Sequence, residues 1–130
     1  MENKLIYNSV ICLFCGETLV SRYRHDFKTC SCENKTFVDG GNEYQRSGGK
    51  DLNLIQSYCI DDSENFETLR FYIERGTRGI VGDEPLHYVK LKDIDDDWLQ
   101  NIIKYEEELR PDNPYLKYYK KEQKFRTKNR

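Results

Sequence analysis

Four cysteines in two close pairs carry the most definite chemistry in this chain. Cys12 and Cys15 have two residues between them, Cys30 and Cys32 have one, and fourteen residues separate the pairs. Thiolates are soft ligands, and two short pairs presented on tight turns can close a tetrahedral four-sulfur site when the intervening segment folds back as a hairpin. Zinc is the expected ion. Gly16, directly after Cys15, supplies the positive φ that a tight cysteine turn needs. The second pair is shorter than usual, so Cys30 and Cys32 share a metal only if the chain bends sharply at Ser31. A site whose four positions are all filled by protein sulfur has no vacancy for water or substrate, and it is expected to be structural rather than catalytic. His25 is the substitute ligand should one cysteine not serve.

His25-Asp26-Phe27 lies between the pairs and admits two readings. In one, His25 is a general base oriented by Asp26. In the other, His25 or Asp26 bonds the backbone of the cysteine turns and steadies the ligands, while Phe27 packs beneath the metal. The second is favoured, because adjacent residues rarely orient each other. The fifth cysteine, Cys59, lies in an apolar run and is expected to be a small buried hydrophobe.

Two further segments could bind anions. Arg75, Gly76, Arg78 and Gly79 have the ingredients of a phosphate cradle, with bidentate guanidinium groups and glycines that let amides approach. They lack the Lys-Ser/Thr ending of a nucleotide-binding P-loop, and a surface turn with its arginines paired to carboxylates is the plainer reading. From Tyr115 to Arg130, seven basic residues face Glu122 alone, a balance of +6 that leaves -8 on the other 114 residues of a chain whose net charge is -2. Lys117, Lys120, Lys121, Lys124 and Arg126 interleave with Tyr118, Tyr119 and Phe125, as a strand-binding helix would have them. Equally, the aromatic side can pack on an acidic body while the lysines meet solvent.

The elements that position these groups follow from pattern and punctuation. With 130 residues, 37% hydrophobic and 34% charged, and a mean hydropathy of -0.89, the aliphatic core is thin, which favours a metal staple. Strands are expected over residues 4–11, 17–23, 35–39, 43–46 and 52–60, with turns at Asp39-Gly40-Gly41 and Ser47-Gly48-Gly49. Phe66, Leu69 and Ile73 are spaced for a short helix ending at Gly76, although the neighbours of Ile73 also alternate as in a strand. A strand over 86–91 precedes a helix capped by the acidic run Asp93–Asp97 and carrying Trp98, Leu99, Ile102, Ile103 and Leu109 on one face. Pro111 ends it, and Asn113-Pro114 opens a last helix from Tyr115 to about Thr127. The fold class is therefore α+β. Zinc-ribbon-like antiparallel β hairpins (1–60) precede an α/β half (61–130) with a small sheet and two to three helices, the whole packed as one domain. No apolar run approaches the length of a membrane helix, the N-terminus has no signal-peptide core, and paired cysteines in a reducing compartment are more often ligands than disulfides, so a cytoplasmic location is expected.

The stretch Cys12 to Arg46 resembles an uncharacterised family of small phage and bacterial proteins. It carries Cys12-x-x-Cys15-Gly16, His25-Asp26-Phe27, Cys30-x-Cys32 and Val38-Asp39-Gly40-Gly41, followed by Tyr44 and Arg46. A looser similarity to phage proteins covers Arg75 to Leu99. The resemblance implies a phage or prophage origin and no particular activity. It points to a non-enzymatic protein that binds and inhibits a host protein or nucleoprotein in the host cytoplasm, as an anti-CRISPR or other counter-defence protein does. Nucleic-acid binding through the C-terminal helix and sequestration of a phosphorylated nucleotide at the Arg-Gly loop are the alternatives.

Overall fold

β1 (Leu5–Cys12) is the spine of the N-terminal half in the computed structural model, which describes residues 4–130. It pairs antiparallel with β2 (Thr18–Ser21) on one side and β6 (Ile55–Asp61) on the other. The β1–β2 turn is closed by the Cys12 amide donating to the Glu17 carbonyl at 2.9 Å and the Gly16 amide to the Cys12 carbonyl at 2.7 Å. A second antiparallel sheet has the order β3 (Lys28–Thr29), β4 (Phe37–Asp39), β5 (Arg46–Gly48). Asn8 ties the sheets together: its side-chain amide, buried on β1, lies 3.0–3.1 Å from the carbonyls of Asp39, Gly41 and Tyr44. Between the sheets Val10, Leu19 and Val38 pack with Cys12 and Cys30, so two of the sulfurs belong to the core itself.

The C-terminal half is a second compact unit, Phe66–Arg130. It contains α1 (Phe66–Leu69), the antiparallel pair β7 (Glu74–Thr77) and β8 (His87–Lys90), and the helices α2 (Asp96–Leu109) and α3 (Leu116–Lys128). Asp95 caps α2, its carboxylate accepting from the Trp98 amide at 2.8 Å, and Asp96 and Asp97 occupy the first turn where the helix dipole favours negative charge. Leu99, Ile102 and Ile103 on α2 and Leu116, Tyr118 and Tyr119 on α3 are buried, together with Leu69, Ile73, Leu91 and Ile94. The fold is the α+β class that the pattern predicts.

Several expected elements differ. The helix from Phe66 stops at Leu69, and the alternation beyond Ile73 becomes β7, so the segment takes the helical and the extended reading in succession. The strand placed over 43–46 lies at Arg46–Gly48, and Leu52–Leu54 is a single 3₁₀ turn capped by Asp51 rather than the start of a strand. Cys59 is exposed, its thiol 3.7 Å from Asn8 Oδ1, because most of β6 faces outward. Leu109, expected on the apolar face of α2, is exposed as well.

Two carboxylates occupy core positions in the C-terminal unit, and both are fully buried. Glu122 on α3 receives a fork of hydrogen bonds from Arg70, Nε to Oε1 at 2.8 Å and Nη2 to Oε2 at 2.7 Å, and a third from Arg126 Nε at 2.7 Å. Glu106 on α2 accepts from Arg75 at 3.2 Å, Arg110 at 2.9 Å and Asn113 at 2.9 Å. Burial alone would raise both acids, and their guanidinium and amide donors overcome it and hold both below the ordinary value of 4.5. Groups depressed in this way stabilise the fold fully above their unfolded value and lose that contribution as pH falls through the folded value. Urea unfolding followed by far-UV circular dichroism should therefore show constant stability of this unit from neutral pH down to about 5 and a decline below 4.5. Arg70→Ala, which strands half of the Glu122 carboxylate in the core, should cost about 3–5 kcal/mol at pH 7.

Candidate metal centre

The two cysteine pairs meet between the sheets, with one sulfur from each of the four side chains and all four within 4.8 Å of one another. The Cys12 and Cys32 sulfurs are 3.5 Å apart, and those of Cys30 and Cys32 are 3.2 Å apart. A tetrahedron with metal–sulfur bonds of about 2.3 Å has sulfur–sulfur edges of roughly 3.8 Å. The cluster spans that value, so the four side chains fit a tetrahedral ion. No cysteine is in a disulfide.

Each pair reaches the centre on a turn. Cys12 ends β1, and Gly16 at φ +81° reverses the chain after Cys15. After β3 the chain bends at Ser31 and Cys32, then turns through Lys35 in the left-handed region at φ +51°, its amide donating to the Cys32 carbonyl at 3.2 Å. Alternate residues of a straight strand already share a face, but at about 6.6 Å apart they are too distant to share an ion. The bend at Ser31 shortens that separation and leaves the two sulfurs 3.2 Å apart.

The sulfurs are surrounded by donors suited to thiolates. The amides of Phe14 and Cys15 point at Cys12, that of Glu17 at Cys15, those of Cys32 and Thr36 at Cys30, and that of Asn34 at Cys32. The buried Thr36 hydroxyl donates to Cys12 while accepting from Asn34 Nδ2 at 2.9 Å, and Asn34 is itself anchored by the amide of Asp51 at 2.8 Å. This hydroxyl, followed by the neighbouring amides and thiol, lowers the Cys12 thiol to about 6. Burial, with the sulfurs of Cys30, Cys12 and Cys15 around it, pushes Cys32 up to about 12.

Thr36 and Asn34 were not singled out by the sequence, and they fill the place foreseen for His25 and Asp26. His25, exposed and at φ +63°, has its Nδ1 2.9 Å from the Tyr44 hydroxyl, not on a cysteine turn. The buried Asp26 accepts from the Arg22 amide at 2.8 Å and pairs with Lys28. Phe27 does not lie beneath the metal site: it stacks on Phe37 with centroids 5.3 Å apart and is half exposed. The signal that was available is position, since Asn34 and Thr36 follow the second pair at turn spacing.

The other expected contacts are dispersed or already engaged. Arg75 is on β7, bonded to Glu106 and to the Tyr119 hydroxyl at 3.3 Å, and Gly76 pairs with Tyr88. Arg78 is exposed, but the Glu84 side chain fills the space beside Gly79, so the loop presents a carboxylate where an anion would sit. Arg126 is held by Glu122, by Asp96 at 2.9 Å and by the Leu91 carbonyl at 3.0 Å. Lys120 pairs with Glu107 at 3.0 Å, Lys117 and Lys121 lie over the Tyr118 ring, and Lys124 is exposed.

The molecule is thus a small α+β protein with a four-cysteine centre between two sheets. A family model described as a domain of unknown function, DUF7695, matches residues 4–49, the span that contains β1 to β5 and all four cysteines. No curated protein and no solved structure matches the chain. Among the described residues, no helix is long and apolar enough to cross a membrane.

A metal must displace the proton that Cys32 keeps at neutral pH, whereas Cys12 is largely ionised there. Competition with a chromogenic chelator should therefore show apparent affinity for zinc rising from pH 6 to pH 8. An affinity independent of pH over that range would contradict the thiolate centre.

Proposed function

We propose that the protein is a non-enzymatic recognition module in which a structural zinc, held by Cys12, Cys15, Cys30 and Cys32, fixes a surface that binds and blocks a macromolecular partner. The closed four-sulfur cluster carries this reading. Four thiolates at tetrahedral spacing suit zinc, and a filled coordination shell leaves the ion a structural task.

The surface it fixes lies on the first cysteine turn. Leu13 and Phe14, between the ligands Cys12 and Cys15, are 51% and 57% exposed. Large apolar side chains held on a rigid turn bind a partner at little entropic cost. Phe14 lines an open groove of about 420 Å³ with Leu54, Asn34, Glu33 and Lys50, which sets two apolar side chains beside one charge of each sign. A protein segment with an apolar anchor fits that description. The more specific reading, a phage-encoded counter-defence protein directed at a host protein or nucleoprotein in the host cytoplasm, rests on the resemblance of Cys12 to Arg46 and on the acidic charge outside the last helix.

The alternatives draw less support. Tyr118 and Tyr119 are in the core and cannot offer faces to bases, and Arg126 is committed to Glu122. At the Arg-Gly loop, Arg75 is committed to Glu106.

A Leu13→Asp/Phe14→Asp variant should keep its zinc content and circular dichroism spectrum. It should recover at least tenfold less of a stoichiometric partner than the unaltered protein in affinity purification from host lysate. Equal recovery by the two proteins, or no stoichiometric partner with either, would overturn the proposal.

A further inference from the structure

The outer face of the second sheet carries a cluster that neither the metal centre nor the first cysteine turn uses. Phe37 and Asp39 alternate with the buried Val38 along β4, and their partners Gly48 and Arg46 on β5 share their face. A Cβ at Gly48 would come within 2.9 Å of the Phe37 ring, so glycine at this position lets that ring lie across the strand. Phe27 stacks on Phe37 at an interplanar angle of 21°, and the Arg46 guanidinium lies 5.6 Å from the centre of the Phe37 ring. Next to them the Tyr44 hydroxyl donates to Asp39 at 3.3 Å and meets His25 Nδ1 at 2.9 Å.

The charges of this cluster are sorted by depth. Its carboxylates, Asp26 and Asp39, are buried and accept bonds from Arg22, Lys28, Gly40, Tyr44 and Arg46. Its cations point outward: Arg24 is exposed, and the side chains of Lys28 and Arg46 are 44% and 62% exposed. Lys28 also lies 5.8 Å from the centre of the exposed Tyr23 ring. The face therefore combines accessible π surfaces with positive charge in an otherwise acidic half of the chain.

We infer that this outer face of the β3–β4–β5 sheet binds single-stranded nucleic acid, with a base stacking on Phe27 and phosphates held by the exposed guanidinium groups of Arg24 and Arg46. This rests on the recognition reading and names part of the partner, as a nucleoprotein target requires. A single strand fits because its bases are free to stack, whereas those of a duplex are stacked on one another, and exposed cations provide the salt-dependent attraction to phosphate. An acidic peptide would satisfy the cations and leave the ring faces unused. Whether the strand is DNA or RNA is not distinguished by stacking and phosphate contacts, which both offer.

Fluorescence anisotropy with labelled oligo(dT) and oligo(U) at about 50 mM salt tests the inference. The unaltered protein should bind at least one strand, the tighter identifying the source, and binding should weaken as salt rises. Phe27→Ala should weaken it by roughly five- to a hundredfold, the range for one lost base stack. Arg24→Ala should weaken it and flatten the salt dependence, with zinc content unchanged in both variants. No binding of either strand, equal affinity for polyglutamate, or loss of binding in Lys117→Ala/Lys121→Ala but not in Phe27→Ala would overturn the inference. A protein partner still captured through Leu13 and Phe14 in those cases would leave the recognition reading standing.

Discussion

Four sulfurs drawn within 4.8 Å of one another are the constraint on which the N-terminal half depends. Thiolates at that distance repel, and thiols there waste the six amides aimed at them, so the arrangement is stable when a cation neutralises it. The consequences spread through both sheets. Cys12 is the last residue of β1 and Cys30 follows β3 directly, so a bound ion ties the end of one sheet to the end of the other. Asn8 makes the second tie through the carbonyls of the Asp39–Tyr44 turn. Among the described residues the buried aliphatic side chains of this cluster are Val10, Leu19 and Val38, and these polar ties supplement the small apolar area that they bury.

The C-terminal half has a larger apolar core and adds different chemistry to it. Glu106 and Glu122 occupy core positions on α2 and α3, and each is surrounded by side-chain donors from elsewhere in the unit. Arg70 both forks onto Glu122 and lies 4.4 Å from the centre of the Phe125 ring, so its loss removes a charge partner and a packing surface together. Buried ion pairs of this kind contribute little net stability over apolar packing, but they penalise any arrangement that separates the partners. They also explain why the basic tail is less available than its composition implies: part of its charge is directed inward.

The cysteine cluster was legible because thiol chemistry and turn spacing are local properties. The antiparallel strands, the acidic cap of α2 and the α+β class were legible for the same reason. Glu106 and Glu122 were not, because a periodic reading assigns charged residues to the solvent face, although Glu106 follows Ile103 and Glu122 follows Tyr119 at helical spacing. The plainer reading of Arg75, a guanidinium paired to a carboxylate, was legible, but its partner Glu106 was not, being 31 positions away in sequence. The aromatic and basic face around Phe27 and Arg46 was hidden likewise, since it exists only once the β4–β5 register places Phe37 beside Gly48. Local chemistry shows in a sequence, while surfaces assembled from several strands do not.

Metal content and thiol reactivity, measured on protein purified without chelators, decide whether the four sulfurs hold an ion. About one equivalent of zinc per chain is expected, with the exposed Cys59 reacting slowly because burial raises its thiol, and the other four thiols protected until a chelator is added. Less than about half an equivalent, or a disulfide among Cys12, Cys15, Cys30 and Cys32 in protein kept reduced, would contradict it.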